Sequence, residues 1–237
     1  MPELQRAYLL RIEMPRALSP FDVCPVSRQS VVEDLVNSLI HSVGLLLALA
    51  ALPLLVALAS TFGSIWQIVS FSIYGASLLL MYAVSTIYHA TRQVRRKRWL
   101  QVVDHGSIFV LIAGTYTPFT FITLNGPWGW SLFGVVWGLS IVGIGLKTVF
   151  GDRFDVLSTI VYIALGWMCV VAAVPLVHNL PPGGLVWLVA GGVTYSLGTV
   201  FYLWERLPFN HAVWHVFVLS GSVCHFIAVL LLVRALG

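Results

Sequence analysis

Histidine, carboxylate and small polar side chains occur in short groups along an otherwise apolar sequence. Glu33, Asn37 and His41 are each four residues apart, which places them on one face of a helix. Ser85 and His89 have the same spacing. Because an ionisable or polar group inside an apolar segment is costly to bury, each of these groups is a candidate functional site.

Two further groups contain the remaining chemistry. Asp104 and His105 are adjacent, and His211 and His215 form an HxxxH pair one helical turn apart. Two imidazoles at this spacing can share one ion, and a histidine from another helix would complete three ligands. Three protein ligands with one open position are typical of a catalytic zinc site, in which Asp104 would hold the metal-bound water instead of the metal. The competing interpretation is that these histidines bond to lipid headgroups or backbone at the membrane interface.

Three other histidines are predicted to lie outside this group. His105 points about 100° around the helix from Asp104 and is interpreted as interfacial. His178 is placed in an external loop and is expected to be solvated. His225 comes ten residues after His215, roughly 15 Å deeper in the membrane. It belongs either to a polar network beneath the site or to the buried core.

Membrane helices must position these residues. The chain has 237 residues, of which 59% are hydrophobic and 9% are charged, whereas an ordinary soluble domain has roughly 25% charged residues. The segments long and apolar enough to cross a bilayer are about Asn37–Ser60, Ile65–Tyr88, Ile108–Leu124, Trp128–Thr148, Leu157–Val177, Leu185–Trp204 and Ala212–Val233. The sequence therefore predicts an all-α bundle of seven transmembrane helices over residues 31–237, after a poorly ordered cytoplasmic tail over residues 1–30.

The distribution of lysine and arginine predicts the orientation of the bundle. With the N-terminus in the cytoplasm, twelve of these residues lie on the cytoplasmic side and Arg234 alone lies outside, together with the C-terminus. The run Arg92–Arg98 is interpreted as a determinant of this topology that also meets anionic lipid. The net charge of +4 is then explained without nucleic-acid binding. Spans one, three and seven begin at the cytoplasmic face and span two ends there, so all four polar groups share one face.

Local signals add detail at the helix ends and interiors. Pro118 and Pro175 lie within predicted spans and are expected to produce kinks, whose freed carbonyls neighbouring helices can satisfy. Asn210 precedes the HxxxH pair and is predicted to be the N-cap of the last helix.

The four groups and their surroundings resemble the hemolysin III branch of the progestin-and-adipoQ receptor (PAQR) family. The matching pieces are ExxxNxxxH at residues 33–41, STIYH at 85–89, DHGSI with AGTYTP at 104–118, and NHAVWH with SVCHF at 210–226. Together they cover most of residues 33–226, and their sequences are closest to those of the bacterial members.

The resemblance implies a seven-helix bundle with a cytoplasmic N-terminus and Zn²⁺ held by His89, His211 and His215. Asp104 would correspond to the aspartate that contacts the metal-bound water, and Ser85 to the serine one turn before the first histidine ligand. The motif residues without an assigned role are Glu33, Asn37, His41 and His225.

The family is also similar to alkaline ceramidases, which implies hydrolysis of a lipid amide or ester. The expected location is the bacterial inner membrane. Membrane lipids are the expected partners, nucleic acid is not, and no oligomeric state is predicted. Two alternatives stay open, namely a sensor or regulator of membrane lipid state or energetics with structural zinc, and a cytolysin, as the family name suggests. A pore is disfavoured because the outer halves of the spans offer little beyond serine, threonine and small residues.

Overall fold

Seven helices in succession dominate a computed structural model of the chain, which describes residues 22–233. They are α1 Val31–Phe62, α2 Ile65–Ala90, α3 Val94–Leu124, α4 Gly126–Phe150, α5 Asp155–Asn179, α6 Gly184–Leu203 and α7 Asn210–Leu231. Apart from an isolated bridge between Val23 and Ser30, the described part of the chain has no β-structure. All seven helices are long and apolar enough to cross a membrane. The predicted all-α class and the seven spans are confirmed.

The helices pack largely in chain order and close into a bundle. Each of α1 to α3 packs against the next helix, α6 packs against α7, and α7 returns to contact α1. Helix α5 contacts α3 and α6. The closure between α1 and α7 brings together the starts of the first and last helices, where the backbone N–H of Phe209 donates to the Glu33 carboxylate across 3.2 Å.

Apolar side chains occupy both the inside and the outside of the bundle. Phe71 and Tyr74 of α2 and Val136 of α4 are fully buried in the core. Large apolar side chains such as Leu46 and Val149 point outward and are exposed. An apolar exterior over helices of this length is the pattern expected of a bundle that faces lipid.

Helix α1 begins with a capping box that involves one of the predicted site residues. The Ser30 hydroxyl accepts from the backbone N–H of Glu33, and the Glu33 carboxylate accepts from the backbone N–H of Ser30. This reciprocal pair satisfies two donors that a helix start otherwise leaves free. Glu33 therefore completes the capping box of α1 and, by accepting from the N–H of Phe209, connects α1 to the start of α7.

Helix α3 begins earlier than its apolar segment. The span was predicted from Ile108, but the helix starts at Val94 and includes most of the basic run. Asp104 consequently lies about three turns inside the helix instead of at its opening. Hydropathy detects the membrane-embedded part of a helix, whereas the helix itself continues through polar turns that extend toward water.

Irregular backbone lies next to both prolines for which kinks are predicted, Pro118 and Pro175. Pro118 is followed by π-helical turns over Phe119–Leu124. In α5, Pro175 lacks a backbone N–H and crowds the carbonyl of Val171, which disfavours a regular α-helix there. The parts of α5 are an α-helix at Asp155–Gly166, a 3₁₀ segment at Met168–Ala172 and an α-helix at Ala173–Asn179.

Tyr116 of α3 satisfies the backbone at the interruption of α5. Its hydroxyl lies 2.9 and 2.8 Å from the carbonyls of Leu165 and Gly166, and it accepts from the backbone N–H of Cys169 at 2.8 Å. In a bilayer an unsatisfied backbone group costs several kcal/mol. The side chain of one helix thus makes an irregular segment tolerable in its neighbour.

The start of α7 differs from the prediction. Asn210 is not the N-cap of α7, because Phe209 occupies that position in the left-handed region with φ of 57°. The Asn210 amide instead donates to the carbonyls of Phe201 and Tyr202, which α6 leaves free at its end.

Of the predicted tail, residues 1–21 lie outside the described part, and residues 22–30 form a turn in which the Arg28 N–H donates to the Cys24 carbonyl.

Candidate metal centre

Three histidines from two helices converge at one end of the bundle. His89 lies at the end of α2, and His211 and His215 lie in the first turns of α7. One ring nitrogen from each lies within 4.8 Å of the other two. His89 and His215 are buried and His211 is half-buried. The three residues are close enough to hold a metal ion, although their role as ligands stays a prediction.

The geometry of the cluster fits a small tetrahedral ion. The Nε2 atoms of His89 and His215 are 3.1 Å apart. Two nitrogens bound to one zinc ion at 2.0–2.1 Å in a tetrahedron are about 3.3–3.4 Å apart, so little movement is needed. Imidazole nitrogens suit zinc, copper, iron and nickel better than magnesium or calcium. The donor set therefore fits a transition metal.

His41, a motif residue without a predicted role, lies directly behind one of these histidines. Its Nε2 shares a 2.8 Å hydrogen bond with Nδ1 of His215, and its side chain is 2% exposed. This contact leaves Nε2 of His215 directed at the cluster. Asn37, one turn earlier on α1, is also buried, and its amide donates to the Gln29 side chain in the turn before the helix.

Asp34 and Lys97 belong to the site but were not predicted. Nδ1 of His89 donates to the Asp34 carboxylate at 2.9 Å, and the Lys97 ammonium donates to its other oxygen at 2.6 Å. Asp34 precedes His41 by seven residues, so helical spacing placed it on the same face. That spacing is a signal in the sequence, although the motif itself contains the neighbouring Glu33 and not Asp34.

A cavity of about 150 Å³ adjoins the histidine cluster. Its wall at this end includes His211, His215, Ser85 and Asp104. Ser85 and Asp104 are buried, at 2% and 7% exposed. The set of mutually close ligand atoms does not include the Asp104 carboxylate. Asp104 thus faces the same space as the histidines without joining their cluster.

The cavity continues away from the cluster between α3, α5 and α6. Its deeper wall includes Tyr116, Trp167 and His225, which also line a second cavity of about 120 Å³. A cavity of about 150 Å³ with apolar walls can hold a molecule the size of benzene. The two cavities therefore provide space beside the histidines and an apolar extension into the bundle.

The outlying histidines differ in their surroundings. His225 is half-buried at the wall of both cavities, with Nε2 3.2 Å from the carbonyl of Leu188. His105, predicted to be interfacial, lines the first cavity. His178 is exposed, as expected, but it lies in the last turn of α5 and not in a loop.

Comparison with known proteins identifies relatives. A family model described as Haemolysin-III related matches residues 29–226. Hemolysin-3 of Bacillus cereus is 46% identical over 202 residues, covering 85% of this chain and 92% of that protein. The Hemolysin-3 homolog of Bacillus subtilis is 45% identical over 201 residues, covering 85% and 94%. Monocyte to macrophage differentiation factor of Homo sapiens is 26% identical over 172 residues, covering 69% and 70%.

The matched region contains the whole histidine cluster together with Asp34, Ser85 and Asp104. The resemblance inferred from the sequence motifs is confirmed by the family match and by relatives that cover most of both chains. With its seven apolar helices and these relatives, the chain belongs to the haemolysin-III-related family of multi-pass membrane proteins.

Proposed function

We propose that the protein is a zinc-dependent hydrolase of the bacterial inner membrane that cleaves a lipid amide or ester. One observation carries the proposal: the three-histidine cluster adjoins a cavity that also contains the buried carboxylate of Asp104 and the hydroxyl of Ser85. Structural zinc sites are closed by four protein ligands, whereas catalytic sites keep a position open. Three imidazoles beside a cavity fit the second kind.

Each group at the cavity has a part in such a reaction. His89, His211 and His215 would hold the zinc ion, which would supply Lewis-acid chemistry and a water activated near neutral pH. Asp104 accepts the proton of the attacking water and returns it to the leaving amine or alcohol. The Ser85 hydroxyl donates a hydrogen bond to the carbonyl oxygen as that atom gains negative charge.

The shape of the cavities supports a lipid as the substrate. The histidine cluster, Asp104 and Ser85 lie at one end, and the wall is more apolar toward Tyr116 and Trp167. The part of an acyl chain next to its carbonyl would occupy the apolar space, with the carbonyl carbon at the histidine cluster. The apolar wall also excludes bulk water, which strengthens the electrostatic interactions at the reacting carbonyl.

Replacing Asp104 with asparagine tests the hydrolase directly. Asp104→Asn keeps the shape of the side chain but cannot accept a proton, so turnover is expected to fall by about 10²–10⁴-fold. Because Asp104 lies outside the cluster of ligand atoms, bound zinc should stay close to the wild-type amount. The measurement is fatty acid released from a panel of N-acyl and ester lipids by purified, zinc-loaded protein.

A matched carboxylate provides the control for this experiment. Glu205 is exposed in the connection between α6 and α7, and Glu205→Gln is expected to keep wild-type turnover. If the wild type releases no more fatty acid than Asp104→Asn across the whole panel, a sensor or regulator with structural zinc replaces the hydrolase.

A further inference from the structure

The Asp34 carboxylate is fully engaged at a point where several segments meet. One oxygen accepts from Nδ1 of His89 at 2.9 Å. The other accepts from the Lys97 ammonium at 2.6 Å and from the Ser27 hydroxyl at 2.9 Å. The donors come from α2, from α3 and from the turn before α1. Both oxygens are therefore held in place from different directions.

The pair of Asp34 and Lys97 is buried. The Lys97 side chain is 1% exposed and that of Asp34 is 9% exposed, and the ammonium lies 5.0 Å from the centre of the Tyr88 ring. Removing two charges from water costs several kcal/mol for each ion, and replacing such a pair with apolar groups is often neutral for stability. Stability alone does not account for a charged pair at this position.

The contact with His89 gives the pair a specific effect. Donation from Nδ1 to the carboxylate fixes the ring tautomer and leaves the Nε2 lone pair free for a metal. That Nε2 atom points to the cluster, 3.1 Å from Nε2 of His215. Nδ1 of His215 instead shares its hydrogen bond with the imidazole ring of His41. The two histidines are thus supported by chemically different groups.

We propose that Asp34 and Lys97 are positioning residues of the metal centre. Asp34 orients His89 for the metal, and Lys97 acts through Asp34 by fixing the second carboxylate oxygen. The inference rests on the metal-binding part of the proposed function and deepens it. Groups that accept a hydrogen bond from a metal-binding histidine typically change metal affinity by about 10–100-fold when they are replaced.

Lys97 differs in its environment from the rest of the basic run. It is buried, whereas the arginines around it are exposed, and all of them carry the same charge. A role in topology or in attracting anionic lipid would be shared by the whole run. A role at His89 belongs to Lys97 alone, because only its ammonium is bonded to Asp34.

The test measures zinc affinity in the full-length protein, stripped of metal and titrated against a chromophoric chelator. The variants are Asp34→Asn, Lys97→Met and the double variant. Asp34→Asn is expected to weaken zinc binding by about 10–100-fold. If Lys97 acts through Asp34, the double variant should bind zinc no more weakly than Asp34→Asn alone, so the two effects are not additive.

The melting temperature of the metal-free protein separates positioning from a general structural role. Asp34→Asn leaves a buried unpaired ammonium and can fail to fold, but the double variant removes both charges together. Its metal-free melting temperature is expected to stay within about 4 °C of the wild-type value. A melting temperature that falls in parallel with zinc affinity would overturn the inference.

Arg98→Met is the matched control, because Arg98 follows Lys97 directly, carries the same charge and is exposed. It should keep wild-type zinc affinity, and an equal loss in Arg98→Met and Lys97→Met would overturn the role of Lys97. A double variant within twofold of the wild type would contradict the inference while leaving the proposed hydrolase intact. A wild-type protein that binds no stoichiometric zinc would instead contradict the proposed function.

Discussion

Each histidine of the cluster is expected to be necessary for metal binding. Alanine at His89, His211 or His215 leaves two imidazoles, whereas a catalytic zinc site has three protein ligands. Each variant should lose stoichiometric metal, measured by elemental analysis of the purified protein. His178→Ala changes an exposed histidine outside the cluster and should keep it. Equal metal content in all four variants would contradict this assignment.

Residue spacing identified some of the site because neighbours on one helix face are four residues apart. His211 and His215 could be paired in this way, and so could Asn37 and His41. The support of His89 could not be identified by spacing, because Asp34 is 55 residues from His89 and 63 residues from Lys97. Such contacts depend on how α1, α2 and α3 pack together.

The side chain of Lys97 shows why a charge pattern alone is ambiguous. A lysine near the end of an apolar span is usually a determinant of topology, and the sequence favours that interpretation for the whole run Arg92–Arg98. Apart from its spacing of seven residues from Asp104, the sequence contains no signal that separates this lysine from Arg96 or Arg98. Only the rotation of α3 about its axis decides which of these cations faces α1.

At the level of elements, hydropathy was sufficient for the number of helices but not for their ends or interiors. The run of apolar residues in α5 predicted one continuous span, and Pro175 marked a kink. The 3₁₀ segment Met168–Ala172 depends as well on Tyr116 of another helix, whose hydroxyl bonds to the backbone there. Local sequence cannot report a partner that lies elsewhere in the chain.

The contact between α4 and the π-helical end of α3 leads to a prediction about stability. A Cβ added at Gly129 would collide with the carbonyl oxygen of Thr120, a backbone atom that cannot move without displacing the π-helical turns. Gly129→Ala is therefore expected to lower the free energy of unfolding by about 1–3 kcal/mol. The measurement is unfolding of the purified protein in detergent.

Gly134 of the same helix is the control for this prediction. A Cβ added there would meet no atom within 4 Å, and alanine is favoured over glycine within a helix by up to about 1 kcal/mol. Gly134→Ala should leave stability unchanged or raise it slightly. Equal destabilisation by the two substitutions would show that close packing against α3 is not the cause.

For the whole molecule, closure of the bundle explains how distant segments form one site. The contact of α7 with α1 brings the HxxxH pair to His41, and the packing of α2 against α1 brings His89 to Asp34. The cavity then extends between α3, α5 and α6, away from this closure. The histidine cluster thus lies where the bundle is closed, and the cavity extends to the part of α5 that is interrupted.

We predict that the bundle has its N-terminus in the cytoplasm and its C-terminus outside. Seven spans would place the two termini on opposite sides, and the distribution of basic residues predicts a cytoplasmic N-terminus. Alkaline phosphatase fused after Gly237 should be active, because that enzyme needs an oxidising compartment for its disulfides. The same enzyme fused after Glu205, in the connection between α6 and α7, should be inactive. The opposite pattern would place the histidine cluster and the exposed arginines on the outer face, which would contradict the orientation that the basic run predicts.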